Sequence, residues 1–378
     1  MGLCLGLARS PFDFMNTGLT SFRAIAFLAV YLYHAKLLEV GYLGVQAFFV
    51  LSGFLLTPIL VDMKQSMSTR QYFAKFYGRR ALRIFPLYYL YLGISALYCL
   101  RLMMQAQFEF ERMSASYFSG FPWALTYTYN FFFAAHPEQT TPLLSHFWSL
   151  AVEEQFYLIW PLILLATPKR RLKMVLLAFI AMGPVLRMIV SALWGTKSVP
   201  GIHGQVDLAV YLLPFSHLDA FALGGFFALF RTSISRKATW QLLLAILALG
   251  LGSEYLSHGQ IRDWTGLGYM PLMLDSGKSI WGYSALNLVF GCVLVQIREG
   301  KFLRLLFENR VLRYLGEISY GLYVFHFAVL GYYTVYHPEY SGNKRVVVAL
   351  LVTILLSAIS YELMEKRFIR MKDRFFAR

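Results

Sequence analysis

The chain has 378 residues, of which 58% are hydrophobic and only 15% charged, with a formal net charge of +15. Soluble domains carry about 25% charged residues, so this composition and a mean hydropathy of +0.53 exclude an ordinary soluble fold. The basic residues fall between apolar runs and not in one tail or patch, which argues against nucleic acid as a partner and for the lipid bilayer. Cys4, Cys99 and Cys292 are scattered, and neither a disulfide framework nor a metal site follows from them.

In chain order, about ten apolar segments reach the ~20 residues that a helix needs to cross a bilayer. They are 22–40, 43–62, 84–103, 147–167, 173–194, 211–230, 239–256, 278–297, 316–336 and 345–363. The runs are continuous and not alternating, and only helices or closed barrels satisfy their backbone in lipid. Helices are therefore expected. The aromatic stretch 117–133, interrupted by Gly120 and Pro122, reads as a re-entrant or interfacial helix. With the N-terminus inside, 26 of the 35 basic residues fall on the inner side. The expected architecture is an all-α, polytopic integral membrane protein forming a single domain over 1–378, with both termini cytoplasmic. No cleavable signal peptide is evident in the first fourteen residues.

Five constellations carry chemistry. In the first helix, Arg23 and His34 lie eleven positions apart, so both return to nearly the same face, roughly 16 Å apart along the axis. Ionisable groups at membrane depth are costly and face an internal cavity, although a lone histidine near a helix end is more often structural. The second helix carries Ser52-Gly53, small residues best read as a close helix contact. Before the third helix body, Gly78-Arg79-Arg80-Ala81-Leu82-Arg83 places Arg80 and Arg83 one turn apart. Such a guanidinium pair suits bidentate phosphate binding, while topology alone accounts for basic residues there.

The fourth constellation is His146 to Pro161, with Glu153, Tyr157 and Trp160 on one face. Glu153 can orient or charge-stabilise a histidine, whereas Glu154 reads as a helix-capping acid. In the fifth, Ser319, Tyr323 and His326 share a face, bringing a second histidine to membrane depth. His326 either lines the cavity of His34 or is a packing residue. Arg187 and Asp219 are further intramembrane charges that pairing would neutralise.

Together these motifs resemble the membrane-bound acyltransferase 3 family, whose members O-acylate bacterial surface glycans and some small molecules. The resemblance covers about 20–365. It rests on the R-x10-H of Arg23 and His34, Gly44-Val45-Gln46-Ala47-Phe48-Phe49-Val50-Leu51-Ser52-Gly53-Phe54, the R-x-x-R of Arg80 and Arg83, and the segments from Trp148 to Pro161 and Ser319 to His326. The pattern begins only after Met15, an alternative start.

The resemblance implies that His34 is catalytic and that Glu153 takes part. It links Arg80 and Arg83, with neighbouring Arg79, to acyl-CoA, and acetyl is the expected group. Arg23, Tyr157, Tyr323 and His326 are candidate cavity or substrate residues. No permanently bound cofactor and no metal are implied. Acyl-CoA is the expected donor and a glycan or glycoside the expected acceptor, at a multi-pass protein of the bacterial inner (plasma) membrane. Many members carry a C-terminal hydrolase-like domain outside the membrane. This chain reads as the stand-alone type, transferring directly or through a separate extracytoplasmic transferase. A transporter or flippase for a glycan or lipid-linked sugar is the competing class, though no inverted repeat is visible.

Overall fold

The computed structural model describes residues 11–104, 108–195, 206–230, 234–273, 277–300, 302–337, 339–340 and 342–376. Among these residues every regular element is helical. The helices are α1 (Pro11–His34), α2 (Gly44–Ser66), α3 (Thr69–Met103), α4 (Phe108–Leu125), α5 (Tyr129–Ala135), α6 (Phe147–Ala166), α7 (Leu172–Gly195) and α8 (Val206–Leu212). They continue with α9 (Leu218–Phe230), α10 (Arg236–His258), α11 (Lys278–Arg298), α12 (Arg304–Phe307), α13 (Arg310–Glu317), α14 (Ser319–Tyr336), α15 (Gly342–Ser360) and α16 (Lys366–Phe375).

Seven described helices are long and apolar enough to cross a membrane, or eight when α8 and α9, bent by 64°, form one span. These coincide with eight of the ten expected segments. The other two are helical as well. One is α1, and the other is α14, whose five tyrosines lower its hydropathy. The stretch 117–133 differs from expectation: α4 runs through Gly120 and Pro122, and the break comes at 126–128, where Tyr127 has φ 54.

Two devices hold the bundle together. The first is close backbone approach. A Cβ on Gly53 would lie 1.9 Å from the carbonyl oxygen of Phe221, and one on Gly224 would lie 2.0 Å from that of Val50. Helices α2 and α9 thus cross with backbones touching, as small residues permit in lipid, where packing and not hydrophobicity drives association. The second device is the buried tyrosine. Tyr88, Tyr91 and Tyr117 donate their hydroxyls to the carbonyls of Ala124, Leu143 and Leu92 at 2.8, 2.8 and 2.7 Å. Each ring fills apolar space while its polar tip satisfies a carbonyl.

Arg187 and Asp219 do pair, with contacts of 3.1 and 3.0 Å, and both side chains are fully buried. Arg187 also donates to the carbonyls of Ile280 and Ser216 at 2.8 and 2.6 Å, and it bonds Ser284. One guanidinium therefore ties α7 to α11 and to the turn before α9. Gly183 makes room, since a Cβ there would lie 2.5 Å from the Asp219 carboxyl carbon. Removing one partner of a buried pair costs about 3–5 kcal/mol, because the other charge is left uncompensated. Asp219→Ala is accordingly expected to lose folded protein, read as a lower melting temperature in detergent; an unchanged melting temperature would refute this role.

Candidate active site

Helices α1, α2, α3, α6 and α14 enclose a cavity of about 310 Å³. Its cationic part is built by Arg23 from α1 with Arg80 and Arg83 from α3; Glu153, Glu154 and Tyr157 of α6 face it. Arg80 lies 5.6 Å from the ring centre of Tyr157 and 6.0 Å from that of Phe76, and its buried Nε has no hydrogen-bond partner among the described residues. Among the described residues, Arg23, Arg80 and Arg83 make no ion pair or hydrogen bond. Three guanidinia without such partners inside a helix bundle are costly unless a ligand completes them.

Glu153 accepts hydrogen bonds on one carboxylate oxygen from the hydroxyls of both Ser52 and Tyr157. It bonds neither His34 nor His326, so the expectation that Glu153 orients the imidazole fails on geometry. Ser52 was expected to pack with Gly53, yet the two point differently. Gly53 meets α9, whereas Ser52 reaches Glu153 and lines the cavity. Glu154 is not a capping acid, because α6 begins at Phe147 and places it two turns inside, on the cavity wall.

Arg79 corrects a third expectation. It does not line the cavity but donates to the carbonyl of Phe376 at 2.5 Å, at the end of α16. One residue step turns a helix by about 100°, which separates Arg79 from Arg80 and Arg83.

The far wall of the cavity is a hydroxyl pair, Ser149 and Tyr323, whose oxygens are 2.5 Å apart. Tyr323 also contacts the carbonyl of His146 at 3.1 Å. Beyond Tyr323 lie three histidines. His34 Nδ1 is 2.8 Å from His326 Nε2, with the rings stacked at 5.0 Å and 16°. His34 also stacks on Phe327 at 4.3 Å, and His146 meets His326 edge-on at 5.2 Å. His34 itself does not line the cavity. The R-x10-H helix thus presents its arginine to the cavity and its histidine to a separate cluster, with Tyr323 touching both.

Sequence reasoning offered Glu153 as the partner of His34, where the structure has His326, and gave no role to Ser149 or His146. The signal for Ser149 and His146 was position, since they precede Glu153 by four and seven residues and so share its face. Among the described residues, no group of three or more His, Cys, Asp or Glu side chains has metal-binding geometry. In the histidine cluster, His146 Nε2 and His326 Nδ1 are committed to the carbonyls of Val324 and Tyr323.

Residues 16–362 match the acyltransferase domain of the acyltransferase 3 family. The chain belongs to that family. The family match displaces the transporter reading. It is 28% identical over 368 residues to the Staphylococcus aureus (strain COL) protein named "Putative O-acetyltransferase", covering 93% of this chain and 57% of that one. It is also 26% identical over 363 residues to the peptidoglycan O-acetyltransferase OatA of Listeria monocytogenes, covering 91% and 54%. A third relative is the O-acetyltransferase OatA of Staphylococcus aureus (strain NCTC 8325 / PS 47), 25% identical over 363 residues and covering 92% and 56%. The chain therefore spans little more than half the length of these relatives. No solved structure matches it.

Proposed function

We propose that this membrane acyltransferase moves an acyl group, acetyl by preference, from cytoplasmic acyl-CoA to a hydroxyl of a cell-envelope glycan or glycoside. The observation that carries this reading is the cavity whose three arginines make no ion pair among the described residues, together with the family to which the chain belongs. Acyl-CoA is polyanionic, and guanidinium–phosphate pairs are among the stronger charge-assisted bonds. Arg80 and Arg83, with Arg23 facing them, hold the phosphates. The flexible pantetheine arm carries the thioester past the Ser149–Tyr323 pair to His34. The positive-inside distribution of lysine and arginine supports a cytoplasmic arginine end, with His34 toward the outer face of the inner membrane.

In this scheme His34 is the general base on the acceptor hydroxyl. Glu153 fixes Ser52 and Tyr157 and offsets part of the guanidinium charge. A separate extracytoplasmic transferase is a further candidate partner, taking the acyl group onward where the final acceptor lies outside the membrane.

The test is to compare acetyl-CoA with acetyl-pantetheine, which has the same thioester and arm but lacks the nucleotide and its phosphates. Free thiol release by purified protein in nanodiscs, with a soluble glycan acceptor, is the readout. Each charge-assisted hydrogen bond is worth about 1.5–3 kcal/mol, so acetyl-pantetheine is expected to show a KM at least about tenfold higher. Equal KM for the two donors would refute phosphate binding by the arginines. Absence of both thiol release and CoA binding would refute the acyl-CoA reading itself.

A further inference from the structure

The hydrogen bonds of the histidine cluster run in one direction. A backbone carbonyl only accepts, so the 2.7 Å contact between His326 Nδ1 and the Tyr323 carbonyl places a proton on Nδ1. In the neutral ring Nε2 then carries the lone pair. The 2.8 Å contact between the two rings is therefore donated by His34 Nδ1 to His326 Nε2. With its single ring proton on Nδ1, neutral His34 presents an unprotonated Nε2, which makes no hydrogen bond among the described residues.

The reverse order would need a doubly protonated His326. That ring is fully buried, edge-on to Phe27 at 5.5 Å and to His146 at 5.2 Å. Among the described residues no carboxylate bonds any of the three histidines, so such a cation would be buried and unpaired, at high cost. His146 leaves the order intact, since its Nε2 donates to the Val324 carbonyl at 3.0 Å.

We infer that His326, anchored by the Tyr323 carbonyl, is a positioning residue that holds His34 in the Nδ1–H tautomer and makes Nε2 the basic atom. A carboxylate has this duty in a serine-protease triad; here a neutral imidazole has it. The inference rests on the reading of His34 as the reactive base. In the step it serves, His34 Nε2 takes the acceptor's hydroxyl proton while the acceptor oxygen forms a bond to the thioester carbon. The carbon–sulfur bond then breaks, and the CoA sulfur leaves with its electron pair and receives that proton from Nε2. While His34 is doubly protonated, its Nδ1–H stays bonded to His326.

Two substitutions separate this role from packing. In His326→Gln the side-chain oxygen reaches the place of Nε2 and still accepts from His34. In His326→Asn the amide reaches only the place of Nδ1, keeping the bond to Tyr323 but offering His34 no acceptor. The Gln variant is expected to stay within about tenfold of the wild-type kcat, and the Asn variant to fall by about 10²–10⁴, the range for a misplaced or mistautomerised base. KM for acetyl-CoA should be unchanged in both, since His326 lies outside the cavity. Equal kcat in the two variants, high or low, would overturn the inference.

A readout independent of turnover is the ¹⁵N spectrum of histidine-labelled protein in lipid. A protonated Nδ1 and bare Nε2 at His34 in the wild type, lost in His326→Asn, is the expected result. A protonated Nε2 in the wild type overturns the inference. Activity retained in His34→Ala would instead defeat the parent reading, and the tautomer would still be measured.

Discussion

His34→Ala is expected to abolish acyl transfer while leaving acyl-CoA binding intact. The base contributes about 10²–10⁴-fold to such a step, so kcat should fall by at least that range, to the rate of spontaneous thioester loss. Binding should survive because the histidine is not part of the cavity wall; the Ser149–Tyr323 pair stands on that wall instead. The protein should also accumulate normally, since His34 is only half-buried at the end of α1 and stacks on Phe327 at one side. Thiol release measured beside CoA titration calorimetry separates the two effects. Full turnover in the variant would remove His34 from the chemistry, and loss of CoA binding would place it in the donor site.

The separation of binding from chemistry along α1 also shows what the sequence could and could not disclose. Helical periodicity places Arg23 and His34 on one side of one helix, and both lie in the single helix α1. Periodicity says which residues share a face; it does not say which faces meet. His34 finds His326 across 292 positions of sequence, and only the packing of α14 against α1 creates that contact. For the same reason Glu153, one of two adjacent carboxylates in an apolar helix, was the partner to expect for the imidazole, although it faces the cavity and not the histidines.

Local reading failed where one residue of rotation decides the role. Ser52 and Gly53 look like one small-residue contact, but about 100° of turn gives the glycine to α9 and the serine to Glu153. Arg79 and Arg80 divide in the same way between α16 and the cavity. Glu154 was misread for a different cause: the expected segment already began at 147, where α6 does start, and seven residues inside it an acid is too deep to cap the first turn. The span count was legible wherever hydropathy carries the helix. It weakened at α14, where Tyr320 and Tyr323 line the cavity and His326 bonds His34. Function and hydropathy compete for the same positions there.

The arginine pair bears the second large effect. Arg80→Ala/Arg83→Ala is expected to raise the KM for acetyl-CoA by about 10²-fold or more, from about 1.5–3 kcal/mol for each charge-assisted bond lost, with kcat little changed at saturation. Arg80→Lys should recover only part of this, because an ammonium keeps the charge but not the planar fork or the stacking on Tyr157. Arg79→Ala is the control: it lies off the cavity and bonds the Phe376 carbonyl, so it should alter the docking of α16 and leave KM unchanged. The double variant should also be no less stable than the wild type. Two like-charged guanidinia beside Arg23, which Glu153 offsets only in part and which make no direct ion pair among the described residues, burden the unliganded bundle, and removing them relieves that burden. A melting temperature that holds or rises while KM climbs would mark these residues as kept for the ligand. A fall in melting temperature with KM unchanged would make them structural cations and would remove the donor site from this cavity.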